Sequence, residues 1–375
     1  MPILREFFKE ALTRALPESI LINGSRPQDP EVFDDRFYDA VGFRGTLGLG
    51  EAYVNGWWSC AELDLFFQNA FSANLFERFR YHPTMLWLRA KERLRNGQSK
   101  SHATEVIEEH YDAGNDIILS FLGEHPAYSC GYWKRCDNLD TAQEHKFELI
   151  CKKLELKPGE KVLDIGCGYG AFAEYAAKYC GCYVAGITLS RRQAEYAKKL
   201  CANLPVDILL RDYRDLRGET FDKIVSIGMF EHVGYKNYCA FFESAERLLN
   251  PDGIFLLHTI GKGSERIVAE EPWIIKNIFP NGMLPTLQRV VDATKDSFDL
   301  VDMHEFGQYY DPTLMAWRKN FDAHWAVSGL DRDTAEYRKW YYYLSSCAAL
   351  FRARRINLWQ FVFRKAGGFP YVSVR

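Results

Sequence analysis

The spacing of hydrophobic and polar positions changes along this chain. After Ala61, apolar Leu63, Phe66, Phe67, Ala70 and Phe71 recur at helical spacing, which predicts a helix with one buried face. Just before it, Gly45, Gly48, Gly50 and Gly56 punctuate Gly45 to Trp58, which reads as a turn-rich element closed by Trp57 and Trp58. From Cys151 onward, short apolar runs alternate with helical patterns. Lys161 to Ile165, Tyr183 to Thr188, Val206 to Leu210, Phe221 to Ile227 and Ile254 to Ile260 are predicted strands. Between them lie predicted helices: Ala171 to Lys178, a second capped by Ser190 and running to about Cys201, and Tyr238 to Leu249. Asn250-Pro251-Asp252-Gly253 reads as a turn ahead of the fifth strand, and Asn357 to Phe363 as a last, antiparallel strand. Such alternation predicts an α/β domain with a doubly wound, mostly parallel sheet.

Composition narrows the function classes. The 375 residues carry a formal net charge of -3, without the basic surplus of a nucleic-acid binder. Ten cysteines are scattered, with no CxxC pair and only Cys180 and Cys182 in a CxC. That speaks against a zinc site or a disulfide scaffold and suits a reducing cytoplasm. Arg5, Glu6, Lys9 and Glu10 give the N-terminus no apolar signal-peptide core. Runs such as Ile254 to Leu257 are too short to span a bilayer. One local charge excess remains, Arg78 to Lys100, where seven basic residues face Glu92 alone, with Met85, Leu86, Trp87 and Leu88 among them. It reads either as a patch that rests on an anionic membrane or as a solvated, packing or dimer-contact helix. Asn96 to Ser99 looks like a linker, so residues 1–95 are expected to form a small, mainly helical domain, 96–104 a connection, and 105–375 the catalytic domain.

The sharpest local signal runs from Val162 to Gly170. A strand ends in Asp164, and Gly166, Gly168 and Gly170 follow at alternate positions before a helix. Glycine lets backbone approach a ligand because it has no Cβ. The spacing is not GxGxxG; it resembles motif I of class I methyltransferases, so the expected fold is their seven-stranded sheet. The resemblance implies that the loop passes under the methionine part of S-adenosylmethionine, with Asp164 helping to hold the amino group. The second strand ends not in an acid but in Thr188-Leu189-Ser190. The ribose must then find other partners, with Gln193 a candidate. Asp212 and Tyr213 are placed to meet adenine, Asp212 accepting its amino protons and Tyr213 covering the ring.

Longer segments make the resemblance specific. These are Leu49 to Trp58, His110 to Asn115, Tyr128 to Trp133, Gly228 to Gly234 and Leu257 to Gly261. Together they resemble bacterial cyclopropane-fatty-acyl-phospholipid synthases over nearly the whole chain. The family chemistry implied is methyl transfer from S-adenosylmethionine to a cis double bond, followed by ring closure with bound bicarbonate as general base. Positions matching the bicarbonate cradle are Cys130, Glu231, His258, Ile260 and Tyr310. His258 and Tyr310 are expected to donate from side chains and Cys130 and Ile260 from backbone N–H groups. Glu231 is expected to accept the bicarbonate O–H. Tyr310 is chosen over Tyr309 because it precedes Asp-x-Thr-Leu. Tyr128 and Ser129 match positions that close over the cofactor. Gly261 to Pro285, with Trp273, Ile274 and Phe279, is expected to help line an acyl tunnel. The resemblance further implies an unsaturated phospholipid partner at the inner face of the membrane, a homodimer, and no metal. Two other readings fit the glycine loop alone: methylation of an amine or small molecule, and a cofactor-binding module without catalysis.

Overall fold

The structure, a computed structural model, describes residues 2–83, 86–87, 96–98, 115–263, 271–365, 367 and 370–375. These fall into two compact units. The first takes its residues from Met1–Arg95, Ser264–Pro280 and Leu314–Ile356, the second from Asn96–Gly263, Asn281–Thr313 and Asn357–Arg375. The first segment of the first unit ends at Arg95, and the second unit begins at Asn96. Two later segments, assigned from sequence to the catalytic domain, belong with the first unit. Residues 99–104 of the expected linker, the segment 110–114, and most of the basic stretch 78–100 lie outside the described residues.

The first unit is mainly helical, with one two-residue pairing of β1 (Glu31–Val32) and β2 (Trp58–Ser59). The predicted helix after Ala61 is present as Leu63–Ser72, with Leu63, Phe66, Phe67, Ala70 and Phe71 buried. Gly45 to Trp58 differs from expectation. It lies mostly within a helix, Arg36–Val54, broken only at Gly45, where φ is 58°. The glycines serve close packing there. A Cβ on Gly48 would stand 1.9 Å from the Ala40 carbonyl oxygen, and one on Gly50 2.4 Å from the Trp273 ring. Trp273, expected near an acyl tunnel, is 1% exposed and packs its ring 4.5 Å from that of Tyr342, in the core of this unit. Asp64, on the Leu63–Ser72 helix, is gripped by Arg318 and Arg352, each at 2.8 Å.

The second unit holds a seven-stranded sheet: β3 (Lys161–Ile165), β4 (Tyr183–Thr188), β5 (Val206–Leu210), β6 (Phe221–Ile227), β7 (Leu249–Gly261), β8 (Phe298–Glu305) and β9 (Asn357–Lys365). Their spatial order is β5-β4-β3-β6-β7-β9-β8. The first five run parallel, and β9 is antiparallel to both β7 and β8, as the last strand was expected to be. The Asn250–Gly253 turn appears as an irregularity inside β7: Leu249 pairs with Phe221 and Ile254 with Lys223. Successive β7 residues serve opposite faces, Phe255 and Leu257 in one apolar cluster and Ile254 and Leu256 in the other. Burying each such side chain stabilises the unit by about 1.5–3 kcal/mol. The carboxyl ends of β3, β4, β6 and β7, where open α/β sheets place ligands, carry the candidate site. No helix among the described residues is long and apolar enough to cross a membrane.

Candidate active site

Motif I takes its shape from three glycines that differ in what they permit. Gly166, Gly168 and Gly170 all have positive φ, at 84°, 53° and 87°. A Cβ on Gly166 would meet Met229 at 2.6 Å, and one on Gly170 would meet Ala197 at 2.8 Å. Around Gly168 nothing lies within 4 Å, so this loop leaves room for a ligand. The loop opens on a cleft of about 1240 Å³ counted out to its mouth. All ten positions expected to bind the cofactor line it: Tyr128, Ser129, Asp164, Gly166, Gly168, Thr188, Leu189, Gln193, Asp212 and Tyr213.

Several of these side chains already have partners. Ser190 caps the Arg191–Leu200 helix as expected, its hydroxyl accepting from the Gln193 N–H at 3.2 Å. The Thr188 hydroxyl donates to Gln193 Oε1 at 2.9 Å, tying together the two residues that stand where an acid usually meets ribose. Asp212 accepts from the Arg214 guanidinium at 2.8 and 2.6 Å, so any adenine contact must use its remaining lone pairs. Tyr213 is 8% exposed and sets its ring edge-on to Phe241 at 5.2 Å, so it belongs to the core as well as to the wall. Asp164 is buried, and burial raises its carboxyl to about 7 against the opposing pull of Lys146.

The second constellation lies beside the cleft. Glu231 follows β6 in a short 3-10 turn, and its Oε1 accepts from the Ile260 N–H at 2.7 Å. Ile260 therefore gives its N–H to Glu231, not to a ligand as the sequence suggested. Burial raises the Glu231 carboxyl to about 7, the Ile260 bond opposing it. Its other oxygen, Oε2, is buried and has no hydrogen-bond partner among the described residues. His258, 1% exposed on β7, has Nδ1 3.2 Å from the Gln360 amide nitrogen on β9, its register partner. Burial first, then the charges of Lys146 and Lys153, hold its imidazole well below the ordinary range, so it is neutral at pH 7. With the Gln360 amide nitrogen set toward Nδ1, the tautomer assigned to His258 carries its proton on Nε2, which is buried without a partner among the described residues.

Cys130 is fully buried, and its thiol is pushed up by burial, which makes it no nucleophile at neutral pH. Its sulfur lies 3.8 Å from the Thr313 hydroxyl. Thr313 also accepts from the Gly131 N–H at 3.1 Å and from Trp133 Nε1 at 2.8 Å. Tyr310 opens the Tyr310–Val327 helix one turn before Thr313 and is 8% exposed. Tyr309, the alternative, ends the preceding 3-10 turn with its ring against Tyr132 at 5.3 Å. Thus Cys130 and the first turn of Tyr310's helix are tied through Thr313, and Glu231 is tied to Ile260.

A buried donor (His258 Nε2) and a buried acceptor (Glu231 Oε2), both without partners among the described residues, fit a small anion that has oxygens to accept and one O–H to give. No group of three or more metal-ligating side chains occurs among the described residues. Sequence reasoning missed Gln360, Thr313, Gln143 and Lys146. Gln360 and Thr313 reach the site only through antiparallel pairing and a distant helix. Gln143 and Lys146 sit inside a regular helical pattern that gives no sign of chemistry.

Compared with known proteins, the family described as mycolic acid cyclopropane synthetase matches residues 98–361. The cyclopropane-fatty-acyl-phospholipid synthase of Escherichia coli K12 is 47% identical over 356 residues, spanning 95% of this chain and 92% of that one. Among solved structures, the cyclopropane synthase MmaA2 from Mycobacterium tuberculosis aligns with a TM-score of 0.65 at 33% identity, covering 70% of this chain and 98% of that one. The mycolic acid cyclopropane synthase CmaA1, complexed with SAH and CTAB, gives a TM-score of 0.65 at 34% identity, with the same coverage.

Proposed function

The chain belongs to the mycolic acid cyclopropane synthetase family, and from that premise we propose that it is a cyclopropane-fatty-acyl-phospholipid synthase. It uses S-adenosylmethionine to convert the cis double bond of a phospholipid acyl chain into a cyclopropane ring, meeting its lipid at a membrane surface. The observation that carries the reading is the complementary pair of buried groups, His258 Nε2–H and Glu231 Oε2, one donor and one acceptor.

The residues divide the work. Asp164, Gly166 and Gly168 seat the methionine part, while Thr188, Leu189, Gln193, Asp212 and Tyr213 surround the nucleoside. An isolated alkene is a weak nucleophile, so Tyr128 and Ser129 must hold the sulfonium methyl close to it and exclude water. Methyl transfer breaks the S–C bond and leaves a cation on the chain; Tyr310 offers a π-face to it. Bicarbonate, when bound, supplies the base that takes a proton from the new methyl as the ring closes. His258 donates to one of its oxygens, Glu231 accepts its O–H, and Cys130 contributes a backbone N–H.

The test is mass spectrometry of vesicles of a cis-unsaturated phospholipid incubated with the chain and S-adenosylmethionine. A gain of 14 Da with loss of the double bond is expected. A methyl gain on a head-group amine, or on a chain that keeps its double bond, overturns the reading.

A further inference from the structure

The Leu139–Lys153 helix buries two lysines two turns apart, and their surroundings differ. Lys153 and Lys146 are both 0% exposed. Lys153 has an internal counter-ion, Asp302, at 3.2 Å. Lys146 has no such contact: among the described residues no carboxylate lies within 4 Å of it, and the buried Asp164 carboxyl acts on it only from further away. Its ammonium donates to two neutral oxygens, Ser129 Oγ at 2.8 Å and Gln143 Oε1 at 2.5 Å. An ammonium has three protons to give, so one is left over. A buried cation with no anion in contact costs several kcal/mol, and a chain that keeps one has a use for it.

Its place points to that use. Lys146 lines the same cleft as Asp164, Ser129 and Gly166. Its charge is also felt by Cys130 and by His258. The cleft therefore offers one buried carboxyl, Asp164, and one buried ammonium, Lys146. An amino-acid group presents the mirror image of that pair, an ammonium and a carboxylate. Burial lowers the Lys146 ammonium to about 7, which an arriving anion reverses.

We infer that Lys146 is the binding seat of a planar, singly charged oxyanion, supplied either as the methionine carboxylate of the cofactor or as bicarbonate. The inference rests on the function proposed above and deepens it, since nothing in the sequence pattern singles out this residue.

The experiment replaces the ammonium in the full chain, Lys146→Met, with Lys146→Gln as a second variant should the first not fold. Calorimetry measures affinity for S-adenosylhomocysteine, for S-adenosylmethionine and its decarboxylated form, and for bicarbonate titrated into the S-adenosylhomocysteine complex. If the methionine carboxylate is the ligand, the parent prefers the carboxylated cofactor by about 10- to 150-fold, the scale of a charge-assisted hydrogen bond. The variant then loses that preference. If bicarbonate is the ligand, the preference is unchanged and bicarbonate affinity falls by a similar factor. Equal weakening of carboxylated and decarboxylated cofactor with bicarbonate unchanged makes Lys146 a brace for Ser129 and Gln143, and overturns the inference. So does a folded variant with every affinity within twofold of the parent. A parent that yields no cyclopropane but keeps the Lys146-dependent preference defeats the proposed function and leaves this inference standing.

Discussion

Asp64 in the first unit and Glu231 in the second are both buried carboxyl groups, and their surroundings have opposite signs. Burial pushes Asp64 up, but Arg352 and Arg318 outweigh it and hold it below its ordinary range. Burial pushes Glu231 up to about 7, and only backbone and hydroxyl donors oppose it. The first carboxylate is neutralised by the fold itself. The second is left, among the described residues, with an open oxygen and no cation in contact. A charge that holds structure together is paired within the chain, while a charge kept for chemistry waits for its partner to arrive.

Removing the structural charge should have the largest effect. Asp64→Ala leaves two arginines facing each other in a partly buried site. Loss of about 3–5 kcal/mol of stability is expected, read as a lower urea midpoint by circular dichroism. A variant as stable as the parent would break the comparison at its structural end.

Next comes the functional charge. Glu231→Gln should slow turnover by roughly 10- to 150-fold, the value of one hydrogen bond to a charged group. Its urea midpoint should stay level or rise, because an unpaired buried carboxyl is gone. A falling midpoint with full activity would reverse the roles assigned to the two acids.

The third effect concerns pH and sharpens the contrast through its sign. Asp64 is depressed, so its contribution is present above the ordinary aspartate range and is lost as pH falls through its folded value. Glu231 is raised from 4.5 to about 7, so folding favours its neutral form. Its contribution is full below pH 4.5 and is lost as pH rises through 7, at most on the order of 3 kcal/mol. Activity, which needs the carboxylate, should climb over that same interval. Stability curves of the parent and Glu231→Gln, normalised at pH 5, should therefore diverge toward pH 8, the parent losing stability that the variant keeps. Parallel curves throughout would show that Glu231 does not titrate there.

The smallest effect belongs to the loop. Gly168→Val forces a branched residue to a φ of 53°, a strain of about 1–2 kcal/mol, and fills space open in the protein itself. Affinity for S-adenosylhomocysteine should fall at least tenfold while the sheet stays intact by circular dichroism. Unchanged affinity would move the cofactor off this loop.

How much of this was legible beforehand depended on whether the signal was local. Strands β3 to β6 and the Ser190 cap declare themselves through period and neighbours, and Asp164, Gly166 and Gly168 stand in one short run, whereas Tyr128, Ser129 and the positions from Thr188 to Tyr213 were named from strand ends and from the family resemblance. Gly45 to Trp58 misled because glycine carries two messages. At Gly56 it ends a helix with a positive φ, but at Gly48 and Gly50 it lets a helix pack against Ala40 and Trp273. The pairing of Gln360 with His258 links residues 102 positions apart and leaves no local trace. Lys146 is silent for a different reason: a lysine in a helix is ordinarily solvated, and only burial makes it remarkable to chemistry.

The first unit has a consequence for how the chain comes to be made. Its Leu63–Ser72 helix packs on Ala335–Arg352, and Asp64 waits for Arg318 and Arg352. At about 5–20 residues per second of synthesis, those partners leave the ribosome some tens of seconds after residue 72. A segment made well before its partners is thus completed only after them, with Phe66, Phe67 and Trp58 uncovered meanwhile. A nascent chain of this kind is a natural client for a chaperone that shields aromatic surface.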